Sequence, residues 1–490
     1  MKQYVLALDI GTSSVRAALY DYAGNVLPAT MVKNERQLEI TDDGGAEIDA
    51  RQAFGQIEQA IDDVLEKSKN LTGEIEYVAA SSFWHSLVGI DESGKPTTRV
   101  FGWADTRSRE YISILRKKLD EILIHNRTGT RFHSSFWTAK LLWLQSEQKA
   151  IFKKTAQWLS FSDYVRLKLC GEAQTGVSMA SATGIFDIRR CVWDEELLEF
   201  LKLKPANLPV IIDEDAKTFQ LNSKYKKRWE RLQNARFFPA IGDGAANNVG
   251  AGCTVKSKAA LMIGTSGAMR VSFKGDVPAQ IPNGLWCYRI DRKRIIIGGA
   301  LSDGGGLYRW LKDNFRLRAN DDKTEIEIAK RDADGHGLTF LPFLAGERST
   351  GYNEEAHGAI LGLKSATDTI DIVQAALESV AYRFAGIFDQ LNDVAKIKEI
   401  IASGGALRES PVWTQIIADV LGQNMSLPDV REASSRGAVL LALEMTGKIE
   451  SVEKRETPKG REFKFDKRRN TIYRKARTRH EKFYELLIGK

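Results

Sequence analysis

The stretch Leu8-Asp9-Ile10-Gly11-Thr12-Ser13 decides the fold, because its last four residues recur as Ile263-Gly264-Thr265-Ser266 after Leu261-Met262. The two copies agree in shape and differ by one carboxylate, Asp9 against Met262. Around the first copy, the apolar run 4–8, a Gly-containing turn, Val15 to Tyr20, the turn 21–25 and Val26-Leu27 predict a meander of antiparallel strands. Within 52–67, Phe54, Ile57, Ile61, Val64 and Leu65 fall at helical spacing, and a strand over 77–80 follows. After the second copy, 267–273 again predicts a strand, and within 371–391 Val373, Leu377, Val380, Phe384, Ile387 and Phe388 share one helical face. Two α/β halves of similar length, 1–250 and 251–490, are therefore expected to face each other across a cleft, a common place for ligands.

A tight turn of Gly, Thr and Ser presents backbone N–H groups and hydroxyls without a bulky side chain in front, which suits an anionic phosphate. Two such turns predict a polyphosphate gripped from both sides. Two carboxylates would repel it, whereas a lone Asp9 can hold a magnesium ion, through waters, that neutralises it. A P-loop is excluded: Gly89-Ile90-Asp91-Glu92-Ser93-Gly94-Lys95 is followed by Pro96 where a Ser or Thr is required, so the segment predicts a turn between strands. No GxGxxG occurs, and a dinucleotide-binding fold has no support.

The chain has 490 residues, 43% of them hydrophobic, and no apolar run long enough to span a membrane, so a cytoplasmic protein with no membrane partner is expected. Cys170, Cys191, Cys253 and Cys287 are far apart and suggest reduced thiols, without a disulfide framework or zinc site. The net charge of +7 is concentrated in the final segment, where Phe463, Phe465, Tyr473, Phe483, Tyr484 and Leu487 are interspersed with Lys and Arg. That pattern predicts a terminal strand or helix with one packed and one solvated face, in preference to nucleic-acid binding.

Gly242-Asp243-Gly244, followed by small residues, suits a turn entering a helix, where substrate can approach the carboxylate closely. Further glycine groups stand at Gly298-Gly299, Gly304-Gly305-Gly306 and Gly404-Gly405-Ala406. Taken in order with residues 9–16, Gly264-Thr265-Ser266, the run 346–353 and the helix containing Trp413, Ala418, Asp419 and Leu421, these motifs resemble the FGGY family of carbohydrate kinases, of the actin-like ATPase (ribonuclease H-like) superfamily. The resemblance implies ATP and Mg²⁺, a sugar-binding first half carrying the base and a nucleotide-binding second half. It implies that Asp243 is the general base toward the attacking sugar hydroxyl and that Asp9 is the magnesium-linked carboxylate. Gly11, Thr12, Ser13, Ser14 and Arg16 resemble the first phosphate loop and Gly264 and Thr265 the second, with Gly305, Gly405 and Glu409 where the family binds nucleotide.

The acceptor is expected at 81–86 and 103–107, with Trp84, His85, Trp103, Asp105 and Arg107, beside Asp243, as substrate-binding residues. Trp can stack on a sugar's apolar face while His, Asp and Arg bond its hydroxyls or a carboxylate. Trp84-His85 departs from the Arg-Glu of glycerol-kinase types and from the Met-His-Gly of xylulose-kinase types, and together with 103–107 resembles gluconate-kinase-like members. Arg107, Arg131, His133 and Lys140 are cations available to an acid substrate. Gluconate is the leading acceptor, with xylulose or another ketose or polyol as the alternative. A nucleotide-driven regulatory module of the same fold is the alternative of another class, and the retained Asp243 favours the enzyme. A homodimer is compatible with the resemblance.

Overall fold

A computed structural model describes residues 2–212, 218–315, 317, 321–430 and 432–489. Strands Gln3–Ile10 and Ser14–Tyr20 pair antiparallel, placing Asp9 opposite Arg16. Val32–Glu35 adds antiparallel on the outer side of Ser14–Tyr20, and Glu74–Ser82 lies parallel against Gln3–Ile10. Short strands Arg236–Phe237 and Ile241–Gly242 follow, both parallel to Glu74–Ser82. The second sheet repeats this order and these directions with Arg294–Leu301, Gly267–Lys274, Lys258–Ile263, Glu399–Ser403 and Met425–Pro428. Trp286–Arg289 extends it at one edge and Gly460–Phe463 at the other. Each IGTS turn thus leaves the corresponding central strand of its own sheet.

The expected third strand at Val26-Leu27 is displaced. Val26 makes a single bridge to Tyr20, a 3₁₀ turn Pro28–Thr30 intervenes, and the strand begins at Val32. Pro28 has no amide hydrogen for a ladder, and the Thr30 hydroxyl takes the Leu19 N–H at 2.9 Å. The expected helices are present and longer than periodicity alone marks. Ala50–Lys67 starts at an Asp49 cap, and Thr369–Ala395 starts at a reciprocal Asp368/Asp371 capping box. The second of these buries one long face in the core beneath the second sheet. Residues 91–94 form the expected turn, with the Asp91 side chain accepting from Ser93 and Lys95 amides.

The basic C-terminal segment packs as its pattern predicts. Phe463 joins the sheet edge, and helix Lys467–Leu487 buries Asn470, Tyr473, Ala476 and His480, while Leu487 stays exposed. Three of its arginines are engaged with acids: Arg469 with Asp419, Arg477 with Asp389 and Arg479 with Asp334. All four cysteines are free thiols. Among the described residues no helix is long and apolar enough to cross a membrane.

The two sheets are joined by a pair of helices. Asp243–Gly250 leaves the last strand of the first sheet, and Ala433–Met445 returns from the second half to pack its Val439–Leu443 segment on Val5, Ala7 and Ala79 of the first sheet. The helices touch backbone to backbone, since a Cβ on Gly250 would lie 1.8 Å from the Ala433 carbonyl oxygen and one on Gly437 1.8 Å from that of Ala246. Only glycine allows this approach.

Candidate active site

Asp243 is the first residue of its helix and remains partly exposed, while Gly242 and Gly244 on either side are buried. Its Oδ1 accepts the Gly244 amide at 2.8 Å, and the Trp84 amide also bonds the carboxylate. Burial raises its pKa to about 6 against the attraction of Arg270, and the charge of Asp9 pushes the same way as burial. Asp9 stands at the end of its strand, also partly exposed, with Oδ1 accepting from Ser81 Oγ at 2.6 Å and Oδ2 3.5 Å from Arg16 Nη1. Arg16 also approaches Glu432, from the other half of the chain, at 3.6 Å. Desolvation holds the pKa of Asp9 above the ordinary carboxylate value even so. Two carboxylates within electrostatic reach of each other, each backed by an arginine, therefore face one cleft.

The turns differ in what they leave open. In each, the glycine N–H closes its own turn, Gly11 on the Ser14 carbonyl and Gly264 on the Ser266 carbonyl, both at 2.9 Å. In the second turn the Gly264 and Thr265 carbonyls accept the amides of Gly305 and Gly306, capping helix Gly305–Asn314. Gly305 thus spends its N–H inside the protein and contributes a bare backbone surface. Beside this junction lies a cavity of about 280 Å³ lined by Gly264, Thr265, Gly305, Gly405 and Glu409, together with Tyr308, Arg309, Lys312, Glu325 and Ala406. The five lining residues expected from sequence meet there. Tyr308, Arg309 and Lys312 were not legible, because nothing in an amphipathic helix marks which exposed turn will border a cavity.

On the acceptor side, Trp84 is packed rather than presented. Its ring lies under the Gly242-Asp243-Gly244 turn, where a Cβ on Gly242 would come within 1.8 Å of the indole. Its Nε1 donates to the Ser178 carbonyl at 3.1 Å, and Tyr288 packs edge-on at 5.1 Å. The expected stacking role for the Trp84 ring gives way to a supporting one: it packs beneath the turn that carries Asp243. His85 sits in the left-handed region at φ 66°, with Nδ1 2.7 Å from the Ala182 carbonyl. Burial and the charge of Arg348 keep the ring neutral, so Nδ1 carries the proton and Nε2 is left as an acceptor.

Asp105 and Arg107 pair with each other, and Arg107 also holds Glu47 at 2.7 Å. The Arg107 guanidinium is sandwiched 4.9 Å from both the Phe101 and Trp143 rings. It is already neutralised, and the other groups suggested by the sequence are also engaged within the protein. Arg131 pairs with Glu121 and His133 with Glu354, and Lys140 is buried, donating to the Ser134 and Ser135 carbonyls. Replacing Arg107 with Leu leaves buried Asp105 without its ion-pair partner and Glu47 with Arg99 alone, at 2.8 Å, so a destabilisation on the order of 3 kcal/mol is expected, read as a lowered thermal midpoint that Asp105→Asn partly restores.

Two arginines in this region escaped sequence reasoning. Arg270, on strand Gly267–Lys274, is buried with Nε and Nη1 unpartnered, and lies against the Gly242-Asp243-Gly244 turn, where a Gly244 Cβ would be 3.1 Å from its Nε. Arg348 lies 5.6 Å over the Trp103 ring. Arg270 carries no spacing signal in its strand, and Arg348 lies in the 346–353 run singled out above, whose pattern does not mark which side chain reaches the cleft.

Two sheets of one topology, facing across a cleft with a loop at each central strand, define an actin-like ATPase fold of the ribonuclease H-like class. Models of the FGGY family of carbohydrate kinases match the chain with their N-terminal domain over residues 4–250 and their C-terminal domain over 259–445. The chain belongs to the FGGY family and is a carbohydrate kinase. It is 30% identical to a gluconokinase of Bacillus subtilis, covering 92% of this chain and 90% of the relative, and 26% identical to a xylulose kinase of Staphylococcus xylosus, over 90% of each. A gluconate kinase structure from Lactobacillus acidophilus superposes with a TM-score of 0.90 at 24% identity, covering 99% of this chain and 98% of that one. Kinases of this family use ATP, generally with Mg²⁺, and act on small-molecule sugars.

Proposed function

We propose that this kinase phosphorylates a hydroxyl of a sugar acid of the gluconate type, with Asp243 as the general base. One observation carries the catalytic reading: Asp243 is partly exposed at a helix start, lifted toward neutrality by burial, bonded by the Trp84 amide of the expected acceptor segment and within electrostatic reach of Asp9 at the first turn. With a pKa of about 6 it is mostly ionised at pH 7 yet basic enough to take a proton as the hydroxyl attacks. Trp84 and the Gly242-Asp243-Gly244 backbone hold it in place, and His85 Nε2 is placed to accept from a substrate hydroxyl. The relative named gluconokinase supports the acid acceptor over a ketose.

The residues present fit ATP and its metal. Gly264, Thr265, Gly305, Gly405 and Glu409 border a polar cavity that accepts part of a nucleotide, in the half proposed as the nucleotide domain, 251–490. Thr12, Ser13 and Ser14, in the first domain, 1–250, offer hydroxyls toward phosphate, and Arg16 offers charge. Asp9 retains lone pairs toward the cleft that suit water-bound Mg²⁺. Mg²⁺, when bound, supplies neutralisation of phosphate charge, and the side chains do the positioning. An ADP-release assay over aldonates, ketoses and polyols tests the reading. The highest kcat/KM is expected with a six-carbon aldonate; turnover of ketoses alone would transfer the assignment to a xylulose-type kinase.

A further inference from the structure

Gly298, the first of the paired glycines at 298–299, lies opposite Arg270 on the neighbouring strand. A Cβ there would come 2.5 Å from the Met269 carbonyl oxygen and 2.9 Å from Arg270 Cγ. At the far end of the same side chain, a Cβ on Gly244 would meet Nε at 3.1 Å and Cζ at 3.2 Å. Two glycines, one in each half of the chain, thus clear the path by which Arg270 reaches from the second sheet to the turn that carries Asp243. The backbone is tied to the same place, since Asn248, on the Asp243 helix, donates from Nδ2 to the Arg270 carbonyl at 3.3 Å.

Arginine keeps its proton at any ordinary pH, so a buried guanidinium with Nε and Nη1 unpartnered is unfavourable unless negative charge lies near. Asp243 supplies it: its carboxylate favours the charge on Arg270, with Tyr288 acting the same way and Arg348 against it. In return Arg270 is the chief influence opposing burial at Asp243. The Gly244 and Trp84 amides also favour the carboxylate, and Asp9 opposes it. Those three residues belong to the first half of the chain, whereas Arg270 comes from the second, on the strand that leaves the second phosphate turn. It acts through charge and not through a hydrogen bond, so it does not cover the carboxylate oxygens. We propose that Arg270 is a positioning residue for phosphoryl transfer: a fixed positive charge, brought across from the second half, that keeps the Asp243 carboxylate ready to take the proton of the sugar hydroxyl. This role rests on Asp243 being the base. Burial alone would strengthen the base and, in the same stroke, leave it protonated and idle; a nearby arginine offsets the second effect.

The pH profile of kcat/KM, measured with whichever sugar the ADP-release assay shows to be turned over, reads this role. In Arg270→Gln the acidic limb is expected to move up from about 6 by about one pH unit or more. The loss relative to wild type should then be about fivefold or more at a pH of about 6 and slight at a pH of about 8.5. Arg270→Met, also uncharged and similar in length, should move the limb in the same way. Arg270→Lys keeps a positive charge and is expected to return the limb most of the way to wild type. Added to Asp243→Asn, Arg270→Gln should cost nothing further, because the group through which it acts is gone. A limb that stays in place in the uncharged variants, a uniform loss at every pH, or a Lys variant that behaves like Gln overturns the role of Arg270. If Asp243→Asn is inactive beside such an unmoved limb, the base reading stands without it. Asp243→Asn with wild-type turnover overturns both.

Discussion

Asp243→Asn is expected to lower kcat by about 10²-fold or more while leaving the fold and ATP affinity intact. Asn is nearly isosteric, and its amide oxygen can still accept the Gly244 N–H, so the turn survives while the proton acceptor does not. The pH dependence separates this from a positional defect. Wild-type kcat/KM should fall below a pH of about 6 as Asp243 protonates, and the variant's residual rate should lose that limb. Stability moves the other way. Asp243 titrates higher in the folded chain than the ordinary carboxylate value of 3.8, so the folded state binds more proton between those values. Its contribution to stability therefore grows as pH falls from about 6 toward 4 and is least above 6. The neutral variant should be at least as stable as wild type at pH 8; a marked loss of thermal midpoint would assign Asp243 a structural role instead.

Gly242→Ala is expected to be nearly as damaging by a different route. The new methyl would lie 1.8 Å from Trp84, whose ring is enclosed by Trp286 and Tyr288 and tied by Nε1 to Ser178. Neither side can yield cheaply, and overpacking of this kind costs about 1–3 kcal/mol. The base rides on the same turn, so kcat should fall by about tenfold or more as Asp243 moves. Trp84→Leu in the same chain makes room and should return part of the stability. Gly242→Ala with wild-type turnover would remove Trp84 from its supporting role.

The duplicated architecture was legible because it rests on local signals: two copies of one turn, strand periodicity beside each, and long amphipathic helices. The carboxylates were legible for a similar reason, since Asp9 and Asp243 sit within glycine-flanked motifs. What remained hidden depends on distance in sequence. The Trp84 ring was expected against substrate, yet its partners Ser178 and Tyr288 lie far along the chain and turn it into a floor. Arg107 looked like a free cation until Glu47, sixty residues earlier, was seen to claim it. The third strand was missed through Pro28, whose lack of an amide hydrogen postpones pairing by a few residues.

The contact between Gly250 and Gly437 has a mechanical meaning for the enzyme. Two helix backbones touch there, and the Arg436 side chain donates across the joint to the Gly250 carbonyl. A rotation at so close a crossing would make it a fulcrum. Asp243 lies seven residues from Gly250 on the same helix, a lever of about 10 Å at 1.5 Å per residue. A rotation of about 10° at the crossing would carry its carboxylate by about 2 Å, the difference between a hydrogen-bonded base and an idle one. On the proposed assignment the base is carried by the same helix as the joint, so closure of the cleft and engagement of the base would be one motion.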